Sequence, residues 1–375
     1  LNLFIIHGLT MMTKLTTPFL ILALVLTLIA PTSAFSVVKH PPTPSAMRVS
    51  TSLFASSPSP SRRDVLSTSA AVATGLIMTP ALPSFAASGG PGSDPSKPIV
   101  VLGASGKTGR IIVDKLTSRS LYVKACTRSG SSSAFSPSTY LSQGSCDVTS
   151  LDSLSSAVSS ASACVFAASA SKKGGDAAHV DYKGVALTAR ACISAGVPRL
   201  VVISSGAVTR PQSIGFKITN VFGRIMDYKI AGESALRSQY AAAPAGAGSY
   251  VIVRPGGLSE NASKGAGGVE VSQGDIYAAE IGREDVALVT IAALLKPGVE
   301  GSTFEVYGSG GETMFGMKTG AAKLQKDLPD VTELVHRSET YEGLLDGILN
   351  DKALLEKGVV STYTGDGVEK LEDVV

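Results

Sequence analysis

The apolar run Ile99-Val100-Val101-Leu102 leads directly into Gly103-Ala104-Ser105-Gly106-Lys107-Thr108-Gly109, and few architectures can use such a junction. Four consecutive apolar residues, three of them β-branched, predict a strand buried on both faces. Past Gly109, Ile111, Ile112 and Leu116 fall at helical spacing. A strand that runs through glycines into a helix leaves backbone N–H groups bare at the positive end of the helix dipole. That is an anion site of the form that suits a dinucleotide pyrophosphate. Gly103 is expected to make the tight turn, Gly106 to admit a phosphate and Gly109 to let helix pack on strand. Ser105, Lys107 and Thr108 join them as candidate cofactor contacts. Gly106-Lys107-Thr108 also looks like the end of a P-loop, but that motif needs a glycine five residues before Gly106, where Val101 stands.

Downstream, apolar runs alternate with helical patterns, which implies parallel βαβ units. Strands are expected at Leu121–Thr127, Ala163–Ala168, Arg199–Ser204, Tyr250–Arg254 and Thr303–Tyr307, and helices at Leu151–Ser160 and Val185–Ala195. Ser129–Ser138 reads as a loop. After Gly308, Met317–Leu328 and Tyr341–Leu355 have helical periodicity. The expected fold class is α/β, a Rossmann-type doubly wound parallel sheet over residues 98–308, with a small C-terminal helical elaboration over 309–375.

The front of the chain reads as an address. Residues before Met11 or Met12 are taken as upstream sequence or a fragment edge. Lys14, the apolar core Phe19–Ile29 and Thr32-Ser33-Ala34 have the form of a signal peptide, 1–34, too short for a confident membrane span. Ser36–Ser61 is rich in Ser, Thr and Pro and has no acidic residue, which is transit-peptide composition. Six of the 33 Lys/Arg and two of the 30 Asp/Glu lie in the first 97 residues, leaving 27 basic against 28 acidic side chains in the body. The overall charge of +3 therefore belongs to the leader. Nothing in the body calls for nucleic acid or an anionic membrane.

Cys126, Cys146, Cys164 and Cys192 are well separated and sit in or beside apolar segments, so buried reduced thiols are expected. Four scattered histidines make a metal site improbable. At the end of the second strand, about twenty-five residues past Gly103, Thr127-Arg128 takes the place where an acidic residue would hold the ribose 2′-hydroxyl of NAD. An arginine there suits a 2′-phosphate, aided by the hydroxyls of Thr127 and Ser129, so NADP is expected rather than NAD.

The G-x-x-G-x-x-G spacing, with the elements that follow it, resembles the atypical branch of the short-chain dehydrogenase/reductase superfamily, closest to its NmrA-like NAD(P)-binding members of plant and algal plastids. The resemblance implies that Asp147-Val148 lies against the adenine and that Ala167-Ala168 lines the cofactor. It implies that Ser205, in Ser204-Ser205-Gly206, meets a substrate carbonyl. Lys229 and Glu233 match the family's lysine and the glutamate four residues on, so Lys229 is implied to fix the ribose. Ile225 stands where the family's tyrosine would; Tyr228, one residue from Lys229, is a poor substitute for that acid but joins Ser205 and Lys229 as a candidate catalytic residue. Arg254-Pro255-Gly256-Gly257-Leu258 resembles the loop that approaches the nicotinamide in this branch, which adds Pro255, Gly256 and Gly257 to the site. Arg283-Glu284-Asp285-Val286-Ala287 matches a helix start with an expected structural role.

The leader, joined at Ser33-Ala34-Phe35, resembles the bipartite plastid presequence of algae with complex plastids. Arg62-Arg63, the apolar Ala70–Met78 and Ser84-Phe85-Ala86-Ala87 look like a twin-arginine thylakoid signal inside a transit segment spanning 35–97. The expected address is the plastid stroma or the thylakoid lumen. The expected function is that of an NADP-dependent oxidoreductase acting on a small molecule. The alternatives are a non-catalytic NADP-binding redox sensor or scaffold with a protein partner or thylakoid association, and an isomerase or lyase that keeps NADP structurally. Oligomeric state is left open.

Overall fold

The computed structural model describes residues 89–170, 176–221, 223–276, 279–310, 335–359, 363–365 and 367–369. The leader, and the helix expected at Met317–Leu328, lie outside the described residues.

The first strand is β1 (Ile99–Leu102), and Lys107–Thr117 forms α1 directly behind the glycines. There follow β2 (Val123–Thr127), β3 (Leu141–Ser145), α2 (Leu151–Val158) and β4 (Ala163–Phe166). A π-helical turn over Ala178–Gly184 runs into α3 (Val185–Ala195). Next come β5 (Arg199–Ile203), α4 (Ile214–Asn220), the long α5 (Ile225–Ala242) and β6 (Ser249–Pro255). The remainder comprises β7 (Gly257–Ser259), β8 (Val269–Ser272), β9 (Glu280–Gly282), α6 (Arg283–Leu295), β10 (Ser302–Gly308), β11 (Val335–His336) and α7 (Asp351–Glu356).

Among the described residues one nine-stranded sheet has the order β11-β8-β10-β6-β5-β4-β1-β2-β3. From β3 to β10 all neighbours are parallel, while β8 and β11 pair antiparallel. The order reverses at β1, which has β2 on one side and β4 on the other. In an open parallel sheet this switch point leaves a crevice beyond the strand carboxyl ends, where ligands bind.

Both faces are dry along the middle strands β1, β4, β5, β6 and β10, which is why these read as continuous apolar runs. Period-two alternation sends Ile99, Val101, Val165, Val201 and Val253 to a core shared with Ile112, Leu116 and Val286 of α1 and α6. Val100, Leu102, Phe166, Val202 and Ile252 face the opposite core, with Leu154, Leu187 and Leu236 of α2, α3 and α5. That second core also gathers all four cysteines, free and buried. Burial pushes the Cys126 thiol up to about 11, so it stays protonated.

The tail departs from its expected helix. Tyr341–Leu355 is a 3-10 turn at Gly343–Leu345 and the short α7, separated by Gly347 at φ +75°. A left-handed residue cannot sit inside a continuous helix, and Asn350 caps a new one by accepting from Ala353 N–H. The tail also adds β11 to the main sheet.

Candidate functional site

The turn after β1 is built by steric necessity. Gly103 adopts φ +75°, and a Cβ there would stand 2.6 Å from the backbone nitrogen of Ala168. A Cβ on Gly109 would stand 2.3 Å from the carbonyl oxygen of Gly103. The turn is therefore pressed between α1 and the end of β4, and Ala167 N–H donates to Leu102 O at 2.9 Å. Gly106 is the N-cap of α1 and offers no side chain to the helix, and the first turn holds no acidic residue. The first N–H groups of a helix have no intrahelical acceptor. Here the helix itself supplies neither a capping side chain nor a first-turn acid, so the cradle fits an incoming phosphate.

Two cations flank that cradle. Lys107 Nζ lies 2.7 Å from Glu260 Oε1, and Arg283 Nε lies 2.9 Å from the same oxygen. Arg283 Nη1 also donates to Thr108 Oγ1 at 3.4 Å. Arg283 thus has a partner in the glycine turn beyond the helix-start role expected of it.

At the end of β2, Arg128 is exposed. The adjacent hydroxyls are engaged within the loop: Ser129 Oγ donates to Ser131 O at 2.7 Å, and Thr127 Oγ1 lies 3.3 Å from Ser129 Oγ. Asp147 accepts from Thr149 N–H and Oγ1 at 2.9 and 2.8 Å, bonds that hold its carboxyl below the usual range. Val148 is buried beside it.

Lys229 sits near the start of α5, and its ammonium is 2.8 Å from Asp181 Oδ1, with the two side chains 12% and 1% exposed. Asp181 also accepts from Ser169 Oγ at 2.7 Å and from Ala170 N–H at 2.8 Å. The carboxylate therefore ties the segment after β4 to the lysine. It comes from the π-helical turn, a local distortion common at functional sites. An ammonium has three donors, so Lys229 keeps capacity for a ribose hydroxyl. Tyr228, its neighbour, carries the Arg224 guanidinium 5.7 Å from its ring centroid. Ile225 is the first residue of α5 and packs against the apolar cluster of Ala207, Val208, Phe216 and Met226. The position of the usual acid is thus occupied by an apolar side chain in apolar company.

Ser205 follows β5, half-buried, with Oγ donating to Gly206 O at 3.1 Å. Gly206 N–H donates to Pro255 O at 2.7 Å, and Gly256 N–H to Val306 O at 2.9 Å. These bonds bring Ser205 and the Pro255-Gly256-Gly257 turn to one end of the sheet, with the glycine turn and Ala167-Ala168.

Beneath that end lies a buried charge network. Arg254 donates to Glu233 through Nε at 3.1 Å and Nη2 at 2.6 Å, and to Glu305 through Nη1 at 3.2 Å. Burial alone would raise the Glu233 carboxyl, but Arg254 and Arg237 hold it at about 2. Glu305 goes the other way: burial, then the nearby Asp275 carboxylate, push it up to about 7 despite Arg254. Asp275 in turn accepts from Ala207 N–H and Thr209 N–H, which anchors the loop after Ser205. The matched glutamate, Glu233, thus serves the scaffold.

A pH dependence follows from Glu305. Its proton is held more tightly in the fold than its ordinary value near 4.5 implies. The associated stability is fully present below that value and is lost as pH rises through about 7. Wild type should therefore lose urea resistance relative to Glu305→Gln between pH 5 and pH 8. Parallel profiles for the two proteins would contradict the assignment.

Asp181, Ser169 and Glu260 had no signal in the sequence, because no local spacing links them to the glycine turn or to Lys229.

Residues 103–297 match a family model described as NAD(P)H-binding. Over 222 residues the chain is 30% identical to an uncharacterized chloroplastic protein of Arabidopsis thaliana, covering 56% of this chain and 75% of that protein. Among solved structures it is similar to a short-chain dehydrogenase/reductase of Veillonella parvula in complex with NADP. That match has 14% identity and a TM-score of 0.46, over 60% of this chain and 99% of that one. It is also similar to ChuY, an anaerobillin reductase of Escherichia coli O157:H7, at 16% identity and TM-score 0.45, over 57% and 98%.

Proposed function

The chain belongs to the NAD(P)H-binding family, and we propose that it is an NADP-dependent oxidoreductase of the plastid that acts on a small molecule. The observation that carries this reading is the uncapped, acid-free N-terminus of α1 at the β1/β4 switch point. When bound, the dinucleotide supplies or accepts a hydride at its nicotinamide.

In this reading Gly103, Gly106 and Gly109, with Ser105, Lys107 and Thr108, would cradle the pyrophosphate. Arg128 would pair the 2′-phosphate beside Thr127, and Asp147-Val148 would border the adenine. Lys229 would hold the ribose, oriented by Asp181. Ala167, Ala168 and the turn Pro255-Gly256-Gly257 would line the nicotinamide, and Ser205 would orient a substrate carbonyl. Plastid location is supported by the leader's composition and by the likeness to a chloroplastic Arabidopsis protein.

One observation favours a second reading, a non-catalytic NADP-binding sensor. Ile225 and its apolar neighbours leave the usual proton donor without a replacement on α5.

Titrating the chain with NADPH and NADH while following nicotinamide fluorescence tests the proposal. NADPH should bind at least tenfold more tightly, and Arg128→Ala should remove most of that preference, as expected for a charge-assisted contact to phosphate. Equal affinity for the two would overturn the NADP assignment. NADPH binding without turnover over a panel of carbonyl and enone acceptors would favour the sensor.

A further inference from the structure

Glu260 and Arg283 lie far apart in sequence, yet β7 and β9 deliver them together. The two short strands pair in parallel with Ser259 opposite Gly282. Glu260 directly follows β7 and Arg283 opens α6 directly after β9, so the strand pairing brings the two residues side by side. A single oxygen, Glu260 Oε1, serves both Arg283 Nε at 2.9 Å and Lys107 Nζ at 2.7 Å. The three side chains differ in exposure: Arg283 is 19% exposed, against 69% for Lys107 and 63% for Glu260. Arg283 is the held member, fixed also on Thr108 in the glycine turn. Glu260 and Lys107 are the solvent-exposed members.

Two cations sharing one carboxylate keep an excess positive charge. A diphosphate brings more negative charge and more acceptor oxygens than a carboxylate, and a guanidinium fork suits it better. We infer that Arg283 is a further pyrophosphate-binding residue and that Glu260 is its built-in competitor, a carboxylate that holds Lys107 and Arg283 until a diphosphate takes them over. This rests on the dinucleotide site proposed above and deepens it. The ligand chemistry concerned is the diphosphate itself, and the Arg128 end of the site discriminates NADP from NAD independently.

The consequence has opposite signs at the two residues. Glu260→Gln removes the competitor's charge while leaving Arg283 on Thr108, so NADPH should bind about threefold more tightly, the scale of an exposed ion pair. Arg283→Gln removes a ligand, so NADPH should bind about tenfold or more weakly and with a shallower salt dependence. In an Arg283→Gln background the gain from Glu260→Gln should shrink, because the pair is coupled.

The experiment measures dissociation constants for NADPH by fluorescence, and for inorganic pyrophosphate by its displacement of NADPH, in the full chain and these variants. Tighter NADPH and tighter pyrophosphate with Glu260→Gln support the inference. Unchanged or weaker binding with Glu260→Gln overturns it, whatever the fate of Arg283→Gln. Glu260 is a surface residue, so that variant decides the matter even if Arg283→Gln does not fold. A wild-type chain that binds neither dinucleotide would remove the proposed function and this inference together. A wild-type chain that binds NADPH, with Glu260→Gln no tighter, would remove this inference alone.

Discussion

Arg254→Met should lower the stability of the protein by about 3–5 kcal/mol, the loss typical of removing one partner from a buried ion pair. The guanidinium satisfies Glu233 and Glu305, each 1% exposed. Glu233 would retain Arg237 at 3.0 Å. Glu305 would be left facing Asp275 with Asp275 N–H as its hydrogen-bond donor. At roughly 2–4 °C per kcal/mol for a domain of this size, the melting temperature should drop by about 10 °C. Adding Glu305→Gln should restore part of it, since one uncompensated buried carboxylate is then gone. A melting shift below about 2 °C for Arg254→Met would mean that the network is not structural. The same variant should weaken NADPH binding, because Arg254 immediately precedes Pro255 and Gly256, whose backbone is bonded to the loop after Ser205.

Gly109→Ala sets local propensity against tertiary packing. Within a helix, alanine is better than glycine by about 1 kcal/mol, and Gly109 lies in the third position of α1. A Cβ there would meet Gly103 O at 2.3 Å and Ala104 Cα at 3.1 Å, both backbone atoms that cannot rotate away. The helix must therefore lift off the turn, at a cost of about 1–3 kcal/mol of overpacking. Its N-terminal N–H groups then no longer converge on the phosphate position. We expect a less stable protein whose NADPH affinity falls at least tenfold, measured by thermal unfolding and fluorescence titration. A stabilised Gly109→Ala protein with normal affinity would show that α1 does not depend on this contact.

Legibility in the sequence followed burial. β1, β4, β5, β6 and β10 lie in the middle of the sheet with both faces covered, and their apolar runs announce them to within one or two residues. β3, Leu-Ser-Gln-Gly-Ser, has no such run because among the described residues it is an edge strand, half in solvent, where polar side chains are tolerated. The short β7 and β9 are likewise unmarked, since three residues cannot establish a period. The tail misled because Tyr341–Leu355 has helical spacing, yet Gly347 breaks the helix and the segment's apolar side chains cover the sheet instead: Leu344, Leu345 and Ile348 belong to the core under α1 and α6.

For the site, the glycine turn and Arg128 stand in local patterns that spacing along the chain makes legible, and Lys229 is singled out by the family resemblance. The sequence by itself set the α/β class and the glycine turn after β1, whose form suits an anion. These are consequences of periodicity and glycine placement, both local, whereas Ile225 four positions before Lys229 is marked only by the family resemblance. Only the tertiary structure decided which charges meet. Asp181 reaches Lys229, Arg254 binds Glu233 and Glu305 together, and Glu260 bridges Lys107 and Arg283, across separations of up to 153 residues. A charged side chain shows no periodicity that names its partner. The partner is set by sheet order and by the register of β7 on β9, and those are settled only when the whole core packs.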